Sequence, residues 1–330
     1  MHFIHACVLL FFLHPSKIVF TSAENNRVEK GASYYYQFNA MDSTSGNIRY
    51  AVKSLPGWLT FNTADHSISG KAVKTGQYPI HLLATNGKDS AWQHFMLTVY
   101  DAKTVNILCL GNSITNGTDK YNSYRRHLWQ LLHAGKYNVD MIGSWSKHHM
   151  GGDVPNPDFD MDHEGHSGWT LQHMFNPPDW DTARGSINKW LQVYRPDIVL
   201  LELGTNDVFQ CRVVPDMLSD LKRLTELLQS KNPSVKIFIA QIPPLGAQWA
   251  DKKLCGKPSS YAEDIAALNK AIAGFVQQHT TAASPVILVD QFTGVNTATD
   301  MYDDIHPNSK GEKAMAERWF RAIRPYLENR

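Results

Sequence analysis

Apolar and polar positions follow two different rhythms along this chain. Between Val105 and Asp290 five compact apolar runs recur: VNILCLG, NVDMIGS, DIVLLELG, VKIFIAQIP and PVILVD. Between them the pattern turns helical, in YRRHLWQLLHA, PDMLSDLKRLTELLQS and AEDIAALNKAIAGFVQQH. In the second of these, Met217, Leu221, Leu224 and Leu228 recur at spacings of three and four, which places them on one helix face. Strands that are apolar throughout, alternating with helices, predict a parallel sheet covered on both faces. Right-handed crossovers then favour an α/β fold, a three-layer α/β/α sandwich with a five-stranded parallel sheet, over residues 104–330.

Upstream the period is two. In YPIHLLA, Tyr78, Ile80, Leu82 and Ala84 share a face, as do Phe95, Leu97 and Val99 in HFMLTVY. With YYYQF, IRYAV and WLTFN, and with turn residues at short intervals, this predicts a small all-β sandwich over 24–101. Trp58 and the tyrosines fit core packing better than a carbohydrate platform. The first 23 residues read as an export signal: the apolar run Cys7–Leu13 is too short for a membrane span, and Thr21 and Ala23 are small residues at plausible cleavage positions. The expected location is secreted, periplasmic or cell-surface.

Composition narrows the partners. The chain has 330 residues, 43% hydrophobic and 19% charged, with a net charge of +1. Without a basic run, nucleic acid is not expected as a partner. Four cysteines are too few for a disulfide scaffold. Cys7 belongs to the export segment and Cys109 to an apolar strand. Cys211 and Cys255 fall in loop-like segments, where they either pair in an oxidising compartment or stay free.

The candidate chemistry lies at predicted strand exits. The first run ends in GNSIT, with Ser113; the third ends in GTND, with Asn206; the last leads to YDDIHPN, with Asp303 and His306. Ligands bind beyond the carboxyl ends of parallel strands, so these residues share a rim. A serine needs a base to act as a nucleophile. His306 can be that base, with Asp303 fixing its tautomer. An oxyanion needs preorganised donors: the Asn206 amide, the Ser113 N–H and the N–H of Gly168 in HSGWT are the candidates. Ser309 and Glu312 fit a capping box for the last helix. His163 and His166 flank Glu164, but no metal site is expected. Gly111 and Gly117 lack the Gly-Lys-Ser/Thr of a phosphate loop. The long polar loop of residues 145–165 is expected to frame the pocket. Trp169, Phe175 and Trp180 fit either sugar stacking or core packing.

The four blocks resemble those of the SGNH (GDSL-type) hydrolases over about Val105 to Leu327. Asn112 departs from the aspartate in the family's name. YRRHLWQLL and HEGHSGWTL look most like carbohydrate esterase family 3, the acetylxylan-esterase type. LPGWLTF and ISGKA resemble cadherin-like, Ig-like modules of bacterial surface proteins. The resemblance implies a flavodoxin-like SGNH fold and a serine esterase without metal or cofactor. It further implies an acylated carbohydrate or other small ester as substrate, and an N-terminal module that contacts polysaccharide or a surface. A lipid esterase, lysophospholipase or thioesterase on the same fold is the nearest alternative. A non-catalytic surface-binding protein is the alternative of another class.

Overall fold

The computed structural model describes residues 18–328, apart from 45, 149–151, 153 and 254. The apolar run of the expected export signal, Cys7–Leu13, lies outside the described residues. The chain divides into two compact units, with the boundary between Val99 and Tyr100.

The first unit is all β: β1 (Ile18–Phe20), β2 (Arg27–Glu29), β3 (Ser33–Gln37), β4 (Ala40–Asp42), β5 (Arg49–Ser54), β6 (Leu59–Asn62), β7 (Ser67–Lys71), β8 (Gly76–Thr85) and β9 (Ser90–Tyr100). They form a four-stranded sheet, β2-β9-β8-β5, a three-stranded sheet, β3-β7-β6, and the pair β1-β4. The long β8–β9 hairpin runs in unbroken register from Gly76↔Val99 to Thr85↔Ser90. Its predicted inward faces carry Ile80, Leu82, Phe95, Leu97 and Val99 into a core shared with Tyr34, Tyr36, Phe38 and Ile68. Trp58 joins this core from its edge, packing edge-to-face on Tyr34 and Tyr78. Strand β1 lies upstream of residue 24, within the stretch read as export signal. It pairs with β4, and Ile18 is fully buried. The folded module therefore includes residues that the sequence pattern assigned to the leader.

The second unit holds a parallel sheet of β10 (Val105–Gly111), β11 (Val139–Ile142), β13 (Ile198–Glu202), β14 (Lys236–Ala240) and β15 (Val286–Val289), in the order β11-β10-β13-β14-β15. These are the five predicted runs. A two-residue strand, β12 (Glu164–Gly165), pairs with Leu110 and Gly111 of β10, just beyond where β11 stops. The helices are α1 (Ser113–Asn116), α2 (Ser123–Ala134), α3 (Ile187–Val193), α4 (Thr205–Phe209), α5 (Val214–Lys231), α6 (Ala247–Ala250), α7 (Tyr261–His279), α8 (Thr297–Asp300) and α9 (Ser309–Glu328).

Side-chain alternation builds the three layers. Leu108, Leu110, Val199, Leu201, Ile237 and Ile239 meet Met217, Leu221, Leu224 and Leu228 of α5 and the apolar face of α7. Phe238, between Ile237 and Ile239, packs edge-on against Tyr326 of α9. Helix α9 pairs with α2. Cys211 and Cys255 are joined, with Cα atoms 6.0 Å apart, within the usual disulfide range. The bridge ties the segment after α4 to the segment before α7 across 44 residues, a closure worth about 4 kcal/mol on a chain-entropy basis. Among the described residues no helix is long and apolar enough to cross a membrane.

Candidate active site

Strand order fixes where a site can form. From β10 the chain crosses to β11 on one side, whereas from β13 it continues to β14 on the other. The connections diverge between β10 and β13, and such a switch point leaves a crevice beyond the strand ends. Ser113 follows β10 and Asn206 follows β13, so both stand at that crevice.

The turn that carries Ser113 is tight. A Cβ on Gly111 would lie 2.2 Å from Thr115 Oγ1 and 2.7 Å from the Glu202 carbonyl, so only glycine lets α1 fold back on the sheet there. Asn112 caps α1: its Oδ1 accepts the Ile114 N–H at 2.8 Å. A carboxylate would perform this cap equally well, so the departure from the family's aspartate leaves the turn intact. The far end of α1 is held by Arg125, which is fully buried on α2. Its guanidinium donates to the carbonyls of Thr115 (2.8 Å), Asn116 (3.0 Å) and Met161 (2.7 Å). It thereby satisfies the otherwise orphaned carbonyls of a helix C-terminus with a cation.

Asp303 and His306 occupy one turn after α8. Asp303 Oδ1 accepts the backbone N–H groups of His306 (2.7 Å) and Ile305 (3.1 Å), and its Oδ2 lies 2.7 Å from His306 Nδ1. Partial burial works against the charge, but these hydrogen bonds prevail and hold the Asp303 carboxyl below its ordinary value. With Nδ1–H directed at the carboxylate, the lone pair of Nε2 faces Ser113 Oγ at 2.7 Å. Tyr302 stacks on the His306 ring and on Tyr121. The cap of α9 differs from expectation. Asn308, rather than Ser309, accepts the N–H groups of Lys310 and Gly311. Glu312 turns inward to accept the Ser123 N–H at 2.6 Å, so no capping box forms. Ser309 already lies inside the helix, one residue too late to cap it.

The GTND segment is laced to HSGWT. Gly204 adopts φ +137°, a conformation reserved for glycine, and starts α4. Asn206 Nδ2 donates to the Trp169 carbonyl at 2.9 Å, which uses one of its two amide hydrogens. The next residue, Asp207, is fully buried; it accepts the Leu171 N–H at 3.2 Å and pairs with Arg212 at 2.7 Å. Burial raises its carboxyl above the ordinary value, and Arg212 opposes that shift. Strand β12 delivers the same segment to the end of β10, where the His166 N–H donates to the Gly111 carbonyl. Gly168 follows with φ +81°. Ser113, Gly168, Asn206 and His306 then line one cleft of about 400 Å³, with Phe209 and Ile305 among its apolar walls.

Other candidates have different places. His163 donates from Nε2 to the Lys147 carbonyl and accepts the Gly165 N–H. His166 pairs with Glu164 at 2.8 Å and stacks on both Trp169 and Trp190. Glu164 also accepts from Ser144 N–H and the Tyr194 hydroxyl, so this cluster is a fastening within the core. Among the described residues no group of His, Cys, Asp and Glu side chains is arranged to hold a metal ion. Trp169 and Phe175 belong to the core. Described residues of the 145–165 loop pack against α2 through Arg126–Asp158 and Asn122–Asn156, and none of them lines the Ser113 cleft.

The GDSL-like Lipase/Acylhydrolase family model matches residues 109–314, more than half of the sequence. The chain belongs to that family. An Ig-domain model matches residues 17–100, in keeping with the early strand β1. A "Multidomain esterase" of Ruminococcus flavefaciens is 31% identical over 242 residues, 69% of this chain and 29% of that protein. The chain thus spans under a third of the length of that relative. Two solved structures are each 32% identical with a TM-score of 0.55, covering 68% of this chain and 99% of theirs. One is an acetyl esterase mutant with acetate ion, and the other is a carbohydrate esterase family 3 protein from Talaromyces cellulolyticus.

Three residues that support this candidate site escaped the sequence reading: Arg125, Asp207 and Glu202. Arg125 had a signal, since it shares the apolar face of α2 with Leu128, Trp129 and Leu132 at helical spacing. Glu202 ends β13 beneath the Ser113 turn and is fully buried. Burial pushes its carboxyl up to about 8, against a smaller opposing pull from Asn112. The folded chain therefore holds a proton at pH values where the unfolded carboxyl, near pH 4.3, has lost it. That contribution to stability is complete below about pH 4 and is lost as pH rises to about 8, on the order of 5 kcal/mol in all. Glu202→Gln is neutral at every pH. Thermal melts at pH 5, 6.5 and 8 should show a shallower alkaline loss of Tm in the variant than in the parent. Parallel curves would place the Glu202 proton elsewhere.

Proposed function

We propose that this protein is an exported serine esterase that removes small acyl groups, foremost acetyl, from carbohydrate. Ser113 Oγ attacks the ester carbonyl as His306 Nε2 takes its proton. Asp303 holds the imidazole in the required tautomer and stabilises the imidazolium. The N–H groups of Ser113 and Gly168 and the second amide hydrogen of Asn206 receive the developing oxyanion. His306 returns the proton to the leaving alcohol, giving an acyl-enzyme. Water, activated by the same imidazole, then releases the acid and restores Ser113.

The observation that carries this reading is the unbroken chain Asp303–His306–Ser113, with both contacts at 2.7 Å, opening on a cleft at the switch point. Likeness to an acetyl esterase and to a carbohydrate esterase family 3 protein supports the acetyl and carbohydrate parts. The Ig-like module and the multidomain relative fit work at a polysaccharide or cell surface.

Acetate release from acetylated xylan, acetylated chitin oligomers, acetylated sialic acid and peptidoglycan tests the substrate class, with p-nitrophenyl esters of two to sixteen carbons in parallel. Turnover of an acetylated saccharide and a steep decline beyond short acyl chains is expected. A preference for long chains would favour the lipid esterase reading.

A further inference from the structure

Among the described residues of the second unit, two large aromatic side chains stand exposed: Trp180, 65% exposed, and Tyr302, 37% exposed. Both belong to the neighbourhood of the Ser113 cleft. Tyr302 lines it and stacks on the His306 ring. Trp180 lies against Gly168, a lining residue: a Cβ placed on Gly168 would meet the indole at 3.3 Å. One edge of the indole is thus seated on the glycine while most of the ring faces water.

The backbone around Trp180 is fastened, although its side chain is not. It sits in a 3-10 segment, Asp179–Arg184. Asp181 accepts the Trp169 Nε1–H at 3.0 Å and the Arg184 Nε–H at 3.2 Å. The Arg184 guanidinium lies over the Trp145 ring, 3.2 Å from its centre, and the Arg184 carbonyl accepts the Trp190 Nε1–H at 2.9 Å. The core tryptophans Trp169 and Trp190 therefore hold the middle and the C-terminal end of the segment. Leaving an indole in water forfeits the burial of a large apolar surface, and here the segment is kept rigid all the same. An exposed indole on a fastened backbone, with one edge seated on Gly168, is partly preordered for a flat ligand with an apolar face, so less freedom is lost on contact.

A pyranose ring has such a face, formed by its axial C–H bonds. We propose that Trp180 is the platform for the sugar ring that carries the ester, on the Gly168 side of the cleft. The inference rests on the carbohydrate-esterase reading and deepens it: Ser113, His306 and Asn206 act on the acyl group, while Trp180 selects the alcohol. Trp180 would then raise kcat/KM for saccharide esters and leave esters without a ring untouched.

The test compares Trp180→Ala, Trp180→Tyr and the parent on two esters, acetylated xylo-oligosaccharides and ethyl acetate. Trp180→Ala should lower kcat/KM on the oligosaccharide about tenfold or more, chiefly through KM, since about 1.4 kcal/mol of lost contact is a factor of ten. It should change ethyl acetate turnover by less than about twofold, and Trp180→Tyr should recover much of the loss. Unacetylated xylo-oligosaccharide titrated into Ser113→Ala should perturb indole fluorescence, and this response should vanish in Ser113→Ala/Trp180→Ala. An equal loss on both esters would make Trp180 a support for Gly168 and overturn the platform. An unchanged oligosaccharide rate would overturn it as well, with the carbohydrate reading intact. A parent enzyme that turns over ethyl acetate, no acetylated saccharide, and binds no oligosaccharide would remove the substrate reading and the platform together.

Discussion

Ser113→Ala is expected to lower kcat by roughly four orders of magnitude or more while leaving the melting temperature within a degree or two of the parent. The asymmetry follows from where the hydroxyl stands. Its one strong contact is His306 Nε2 at 2.7 Å, and His306 keeps its position through Asp303 when that contact goes. The cap of α1 belongs to Asn112 and its far end to Arg125, so neither depends on the serine side chain. The variant therefore loses covalent catalysis and little else. Steady-state kinetics on a short-chain ester beside a thermal melt checks both halves. Retention of more than about a hundredth of the activity would leave Ser113 without a nucleophile's role.

The second large effect is at Asn206. Its amide makes one structural hydrogen bond, to the Trp169 carbonyl, and the other hydrogen is the proposed oxyanion donor. These two uses predict different signatures. Loss of an oxyanion donor reduces kcat about 100- to 1000-fold with KM little changed. Loss of the Trp169 bond costs about 1 kcal/mol of stability, because a carbonyl is left to find water. Asn206→Ala should show both, with the kinetic loss far larger than the unfolded fraction explains. Asp207 and the Gly204 turn remain to hold α4 in place. A variant that melts early and loses activity only in proportion would make Asn206 a loop pin. Full activity would leave the Ser113 and Gly168 N–H groups to carry the charge alone.

Much of this arrangement is legible in the sequence because the parallel strands are apolar on both faces. VNILCLG, DIVLLELG and VKIFIAQIP stand out as runs, and their ends announce the rim. The candidate residues were legible from the same runs: Ser113 and Asn206 sit just past strand ends, and Asp303 and His306 stand beyond the last strand, after α8, in a short segment rich in Asp and Asn. Most of what escaped lacks a periodic signal. Strand β12 is two residues long and reads as loop. Asn308 outcompetes Ser309 for the cap because the tertiary contact of Glu312 with Ser123 sets where α9 starts. Strand β1 follows an apolar run, so its own apolar residues read as part of a leader. Arg125 does share the spacing of the apolar face of α2, but a cation there reads as solvated until the three carbonyls around it are placed. Trp180 is indistinguishable from Trp169 by composition; only the fold separates the exposed ring from the buried one.

The central claim, that Ser113 is the nucleophile of an acyl-transfer site, is tested most directly by active-site labelling. The protein is inactivated with a fluorophosphonate and its peptides are mapped by mass spectrometry. The account predicts one adduct per chain, on Ser113, rising in step with the loss of esterase activity, and none in Ser113→Ala. An adduct on another serine that tracks inactivation, with Ser113 unmodified, would contradict it.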